Sequence, residues 1–315
     1  MTITVKERMI PEYPGLENEE QACILKVLAY FDIFQYPLSQ NEIRQFLGRS
    51  SLEESLDKVL HHMLTRQTIF FHSGFYSLHN NPLLTHKRIE GNQRAEKLLP
   101  KAYKIGRFLS WFPFVKAIGI SGSLSKNFAD ENADIDFFII TKANRLWIAR
   151  TIMHLFKKLT FITGHQHFFC MNYYIDEEAL LIEDKNIFTA IEVTTLVPVC
   201  GSKTLDDFFT VNNWSCDFFP SGQKKYLKND RPVRPFIKRC VEWILDNNSG
   251  DHLDKWLQKI TTYRWQKKSL KDKRNKNGLR MELITGRHFA RSNPGAFQEK
   301  VLSLYEQKLT SLKLF

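Results

Sequence analysis

No stretch of this 315-residue chain stays apolar for the roughly 20 residues that a bilayer-spanning helix needs. The opening MTITVKERMIPEYPG lacks the apolar core of a secretory signal. Cysteine is scarce: Cys23, Cys170, Cys200, Cys216 and Cys240 are odd in number, dispersed and set among apolar neighbours. That usage excludes a disulfide framework and a cysteine-based zinc site, and it is the pattern expected of reduced thiols in the cytoplasm. Internal repeats and low-complexity tracts are absent as well. What remains is ordinary for a globular chain, with 43% hydrophobic and 25% charged residues and length for two or three domains. The 25 phenylalanines point to bulky core packing and to no particular function.

The richest segment is IGISGSLSKNFADENADIDFFII, Ile118 to Ile140. An apolar run, Ala117 to Ile120, leads into Gly122-Ser123; a polar loop follows; then Asp134-Ile135-Asp136 opens a second apolar run. In an extended strand alternate side chains share a face, so Asp134 and Asp136 project together and Ile135 and Phe137 go the other way. Two carboxylates held close repel each other unless a cation lies between them. Hard oxygen ligands of this kind suit Mg2+ (or Mn2+), shared with substrate phosphates. Gly122 lets the backbone approach a ligand closely. A short helix starting at Ser123 would turn free amides and a hydroxyl toward an anion, with Lys126 one turn along. This is the equipment of in-line phosphoryl or nucleotidyl transfer.

With these residues the segment resembles the signature of the polymerase-beta-like nucleotidyltransferase superfamily, in particular its minimal type. Gly122, Ser123, Ser125, Lys126, Asp134 and Asp136 match that pattern, and Asn127 stands where the family often has glycine. The resemblance covers Lys116 to Tyr174. It implies metal-dependent transfer of a nucleoside monophosphate from a nucleoside triphosphate, with Gly122, Ser123 and Lys126 holding the triphosphate and Asp134 and Asp136 the metal. The family usually adds a third acid from a later strand. Here the intervening helix is legible, with Asn144 as its cap and Leu146, Ala149, Ile152, Phe156 and Leu159 at helical spacing. The later strand is HFFCMNYYI, His167 to Ile175, and the third-acid position falls on Asn172. An amide coordinates through oxygen but cannot serve as a base. Glu192, the one charged side chain between Asn186 and Lys203, is the other candidate for the third acid. A carboxylate in so apolar a setting needs a partner, and a structural hydrogen bond or a solvent-facing position would satisfy it equally.

Upstream, Glu19 to Phe31 reads as an amphipathic helix. Ser39 caps a second helix, Gln40 to Phe46, ending at Gly48, and Ser51 caps a third with Leu52, Leu56, Val59, Leu60 and Met63 as its buried stripe. TIFFHSGFYSLH then reads as a hairpin turning at Ser73-Gly74. Three helices and a β-wing resemble a winged helix-turn-helix module. Glu53, Glu54 and Asp57 at the start of the third helix would be repelled by phosphate, so protein contact or an architectural role is expected above DNA reading.

Thr85 to Trp111 reads as a basic helical connector with Pro100 as a kink or break. Beyond it, Asn186–Cys200, Thr204–Phe219, Arg231–Asn247, Asp251–Trp265 and Asn293–Leu314 read as helices. The net charge of +11 is concentrated late: Arg264, Lys267, Lys268, Lys271, Lys273, Arg274, Lys276 and Arg280 cluster around Asp272, with Tyr263 and Trp265 alongside. Such a run attracts polyanions — RNA, DNA, an acidic membrane surface or a nucleotide-derived substrate — or is simply a solvated loop.

The expectation is therefore an α+β protein. It comprises an N-terminal arm (1–18), a winged-helix-like module (19–80), a helical connector (81–112), a small mixed-sheet nucleotidyltransferase core (113–183) and a helical C-terminal region (184–315) carrying the basic segment 264–280. The function expected is Mg2+-dependent nucleotidyl transfer from a nucleoside triphosphate to a hydroxyl of a small molecule, RNA or protein. The alternative is a catalytically weak or inactive nucleotide-sensing regulator.

Overall fold

The computed structural model describes residues 19–48, 56–131, 133–160, 168–222, 225, 227, 235–271, 282–292 and 296–314. The N-terminal arm, the Ser51 cap and residues 272–280 of the basic segment lie outside them. Contacts divide the chain into two units, one drawn from 1–87, 219–221 and 303–315, the other from 88–218 and 222–302.

The first unit follows the expected element order: α1 (Glu19–Asp32), α2 (Gln40–Gln45), α3 (Leu56–Thr65), then β1 (Phe70–His72) and β2 (Phe75–Ser77) in an antiparallel hairpin. Ser39 accepts from the Glu42 amide while Glu42 reaches back to the Ser39 amide, so the α2 cap is a full capping box. Ser73 and Gly74 both take positive φ, +46° and +90°, the conformation that suits a two-residue hairpin. Leu38 bridges to Tyr76 beside the hairpin. Asp57 accepts from Gln40 on α2, which occupies one of the acids at the start of α3. The chain's end also belongs to this unit: Tyr305 packs edge-on against Tyr30 with centroids 5.6 Å apart, and Lys308 pairs with Asp32. Residues 303–314 therefore separate from the C-terminal region in which they were expected.

The second unit is built on a six-stranded mixed sheet of order β6-β3-β4-β5-β8-β7. Its strands are β3 (Val115–Ile120), β4 (Asp136–Thr141), β5 (Cys170–Asp176), β6 (Val197–Cys200), β7 (Leu283–Thr285) and β8 (Phe289–Ser292). Only β4 and β5 are parallel; their crossover is α6 (Leu146–Thr160). Three of these strands, β6 to β8, fall in the region expected to be helical, so the core extends well past residue 183. The remaining helices are α4 (Pro82–Leu109), α5 (Gly122–Ser125), α7 (Ile187–Thr195), α8 (Ser202–Val211), α9 (Ser215–Phe218), α10 (Phe236–Leu245), α11 (Asn248–Leu270) and α12 (Phe297–Ser311).

Period-two alternation sorts the sheet into two cores. Ile118, Ile120, Ile135, Phe137 and Ile139 bury against Ala95, Ala102, Leu146, Trp147 and Met153 of α4 and α6. Ala117, Phe138 and Ile140 bury on the other face against Val193, Leu196, Leu205 and Phe208 of α7 and its surroundings. The α4 helix continues through Pro100 without the break that was one expectation there; Ala95, Ala102 and Leu109 are fully buried around it, and that packing holds the helix where propensity alone would end it. Asn144 does not cap α6. It sits at φ +59°, and its Oδ1 accepts from Arg287. The cap comes instead from Asp254 on α11, whose Oδ1 accepts from the Ile148 amide at 2.9 Å.

Candidate functional site

The site forms where β3 ends and β4 begins. The Ser121 amide donates to the Asp136 carbonyl at 3.0 Å, which places the turn after β3 directly beside the first residue of β4. Gly122 holds φ +68°, and a Cβ built there would lie 2.5 Å from Asp136 Oδ2. Only glycine fits both the backbone and the carboxylate. Asn127, in the place where glycine is common in the pattern, takes φ +57°. Ser125 is structural: its hydroxyl donates to the Gly122 carbonyl at 2.8 Å and meets Thr195 at 3.3 Å. Ser123 is exposed at the start of α5.

Asp136 is half-buried in the wall of a cavity of about 280 Å³. Loss of water around its carboxyl raises its pKa to about 7; the charges of Asp134 and Glu192 push the same way, against a hydrogen bond from Cys170 and the charge of Lys126. Asp134 lies just before the strand and is exposed. Ile135 and Phe137 share the core on the α4–α6 face, as expected, while β4 begins only at Asp136, so Asp134 precedes the strand on which it was expected. Cys170, paired opposite Asp136, has its thiol pushed up to about 12, first by burial and then by that carboxylate.

Asn172 also lines the cavity. Its Nδ2 donates to Asp136 Oδ1 at 2.6 Å, and its Oδ1 accepts from the Cys170 thiol at 3.3 Å. So oriented, it positions Asp136 and turns no free oxygen beside it. Glu192 arrives from α7. One carboxylate oxygen lies 2.7 Å from Lys126 Nζ, and the other accepts from the Gly122 amide at 3.4 Å. Lys126 Nζ also donates to the Gly122 carbonyl at 3.0 Å. The structure thus brings Gly122, Lys126, Asp136, Asn172 and Glu192 together, and two of the donors expected to meet a triphosphate, the Gly122 amide and Lys126, are bonded to a carboxylate of the chain itself.

Three features were not read from the sequence. Lys225 Nζ donates to the Ser125 carbonyl at 3.4 Å, and burial and the charge of Lys126 lower its pKa. Arg291, on β8, lines the cavity and pairs with Asp184 at 2.6 Å. Phe138, Tyr173, Phe188 and Phe208 give the cavity an apolar body behind its polar end. No local pattern marks any of them; strands, helices and a loop far apart in sequence bring them together.

Among the described residues no group of three or more His, Cys, Asp or Glu side chains is arranged to hold a metal ion. A divalent ion would rest on Asp134 and Asp136 and on oxygens carried in by a nucleotide, the manner in which Mg2+ is ordinarily held. Such a donor set would be all oxygen and doubly acidic, the chemistry that ion takes, with Lys126 the nearby positive charge. Comparisons of the chain with protein-family models, with curated proteins and with solved structures found no match.

Proposed function

We propose that the second unit is a Mg2+-dependent nucleotidyltransferase that moves a nucleoside monophosphate from a nucleoside triphosphate to a hydroxyl acceptor. One observation carries the reading: Asp136 is pressed against the Gly122 turn, and the charge of Asp134 acts on it, so two acids converge on a glycine turn that also holds Lys126. Lys126 and Lys225, near each other at the same turn, supply the positive side of an anion site.

In this reading the triphosphate takes the open side of the turn, where Ser123 and Asp134 are exposed. Its arrival displaces Glu192 from Lys126 and from the Gly122 amide. Asp134 and Asp136 would hold Mg2+, which when bound neutralises phosphate charge and makes the acceptor hydroxyl more acidic. The acceptor oxygen attacks the α-phosphorus, the bond to the β-phosphate oxygen breaks, and pyrophosphate leaves as the hydroxyl proton passes to a carboxylate of the cleft. Asn172 keeps Asp136 in place through the 2.6 Å bond. The first unit, of winged-helix-like element order, would serve protein contact or architecture.

The second reading, a nucleotide sensor without turnover, draws on the same two details: an amide in the third-acid position and phosphate donors engaged by Glu192. Calorimetric titration with nucleoside triphosphates, with and without Mg2+, separates the cases when joined to transfer of label from a triphosphate to an acceptor in cell extract. Metal-dependent binding that vanishes in Asp134→Ala/Asp136→Ala, together with transfer, supports the enzyme. Binding without transfer supports the sensor, and no binding removes both.

A further inference from the structure

The α10 helix is packed inside out. At about 100° per residue, Phe236, Ile237, Cys240, Val241, Trp243 and Ile244 share one arc of roughly 160°. Four of them are strongly solvent-exposed: Phe236 at 77%, Ile237 at 74%, Trp243 at 83% and Ile244 at 57%. Two polar residues, Lys238 and Glu242, face the protein, while Arg239 is exposed. Lys238 is buried, with Nζ donating to the Ser110 and Val115 carbonyls at 2.8 and 2.7 Å, and Glu242 accepts from the Phe114 amide at 2.8 Å. An amphipathic helix ordinarily buries its apolar arc. Here buried polar bonds lock the opposite arc inward, so the apolar arc is held toward solvent by design of the fold.

The next helix adds charge. On α11 the outward arc carries His252, Lys255, Trp256, Lys259, Tyr263 and Lys267; the neighbouring acid, Asp251, is paired to Arg145. Exposed apolar patches on a soluble unit mark a docking surface, and aromatic and aliphatic side chains among lysines are the composition of helices that lie in a bilayer interface. Tryptophan and tyrosine favour the headgroup level, and lysine keeps its charge in water while its stem lies along apolar surface.

We propose that the outer surface of α10 and α11 docks on an anionic lipid bilayer, lying on it without crossing it. Charge complementarity selects this occupant. A second copy of the chain would set lysines against lysines on a molecule that already carries a net charge of +11. A nucleic acid would meet the lysines but would gain nothing from Ile237 and Ile244, which have neither a flat ring to stack nor a group to hydrogen-bond. An anionic bilayer satisfies both sets at once.

The test is co-sedimentation of the full chain with extruded vesicles of phosphatidylcholine alone or with about 30 mol% phosphatidylserine, reading Trp emission in parallel. The expected result is partition onto the anionic vesicles that weakens with added salt, with a blue shift of emission. Ile237→Asp/Ile244→Asp should weaken that partition about tenfold or more, since two side chains lose their apolar burial. Lys255→Glu/Lys259→Glu should weaken it by a similar factor and flatten the salt dependence. These side chains are exposed, so unchanged thermal unfolding of each variant shows that the fold is retained. Failure of the parent chain to partition onto anionic vesicles overturns the proposal. So does partition that ignores the isoleucine substitutions, or a self-associated species in sedimentation velocity that Ile237→Asp dissolves. Binding of a single-stranded RNA oligomer that is lost in the lysine variant while vesicles remain unbound assigns the surface to nucleic acid.

Discussion

Glu192 reaches from α7 to Lys126 and closes an ion pair at 2.7 Å, with its second oxygen turned to the Gly122 amide. A carboxylate there stands where a phosphate oxygen would be expected. Removing its charge should therefore free the donors. Glu192→Gln is expected to bind nucleoside triphosphate about three- to tenfold more tightly in the absence of metal, the worth of one charge-assisted contact relieved. Calorimetry on the two proteins checks this; weaker binding in the variant would show that Glu192 holds the site together and does not compete for it.

The contact between Gly122 and Asp136 makes a sharper demand. Gly122→Ala places a methyl 2.5 Å from a carboxylate oxygen at φ +68°. The expected loss is about 1–3 kcal/mol of stability from left-handed strain plus displacement of Asp136. Urea unfolding measures the first. The second should show as lost metal-dependent triphosphate binding even at temperatures where the variant is fully folded.

Why Gly122 and the aspartates were legible in the sequence, while much of the sheet was not, has a physical basis. Gly122 and Asp136 act through short-range constraints: a positive φ and one strand-turn-strand connection, with Asp134 just ahead of β4. The same is true of Ser39 as the α2 cap and of the Ser73-Gly74 turn. The strand β6 is different. VPVC is four residues long and contains Pro198, which argues against a strand unless the strand lies at an edge, and β6 is the edge next to β3. The strands β7 and β8 are three and four residues long, and β8 pairs with β5 more than a hundred residues earlier, so nothing near them in sequence announces their role. Asp254 as the α6 cap is equally remote from the helix that it serves. The apolar setting of Glu192 correctly signalled a partner, but its identity, Lys126, depended on bringing α7 to the α5 turn.

Asn172 offers a test of how the third-acid position is used. Its amide donates to Asp136 at 2.6 Å, so Asn172→Asp replaces a hydrogen bond with a pair of facing carboxylates. Without metal, like-charge repulsion should lower the unfolding temperature of this variant below that of the parent. With Mn2+ the extra ligand should stabilise the folded state by mass action, so the variant should gain more from Mn2+ than the parent does. Thermal unfolding in chelator and in Mn2+ gives both numbers. Equal gains for the two proteins would place the metal away from Asp136.

His154 on α6 governs a pH dependence. Its Nε2 is buried with no hydrogen-bond partner among the described residues, and its ring lies 6.0 Å from that of Tyr174. Burial holds its pKa well below 6.5, and the charges of Arg150, Lys157, Lys158 and Lys268 add to that. In the unfolded chain the same imidazole takes up a proton near its ordinary pKa of about 6.5. As pH falls below that value the unfolded state binds the proton and the folded state does not, so this group costs stability with a limiting slope of about 1.4 kcal/mol per pH unit. His154→Leu should lose less stability than the parent between neutral pH and pH 5, while differing little in slope above pH 7. Urea unfolding across that range reads the difference directly.

Asp254 and Arg287 close the chain of dependence between α11 and the sheet. Asp254 is fully buried, caps α6 at the Ile148 amide and pairs with Arg287 Nη1 at 2.8 Å; Arg287 in turn donates to Asn144. Burial raises the Asp254 pKa, while these partners pull it down. Asp254→Ala strands an amide and a guanidinium together and should cost about 3 kcal/mol or more, in the range for breaking a buried pair. Asp254→Asn keeps an oxygen for the Ile148 amide and should lose less, because only the charge is removed. If α11 serves α6 chiefly as a cap donor, Asn recovers most of the Ala loss. If the ion pair dominates, Asn and Ala fall together, and Arg287→Leu in the Asp254→Asn background should then restore part of the stability by removing the unpaired charge.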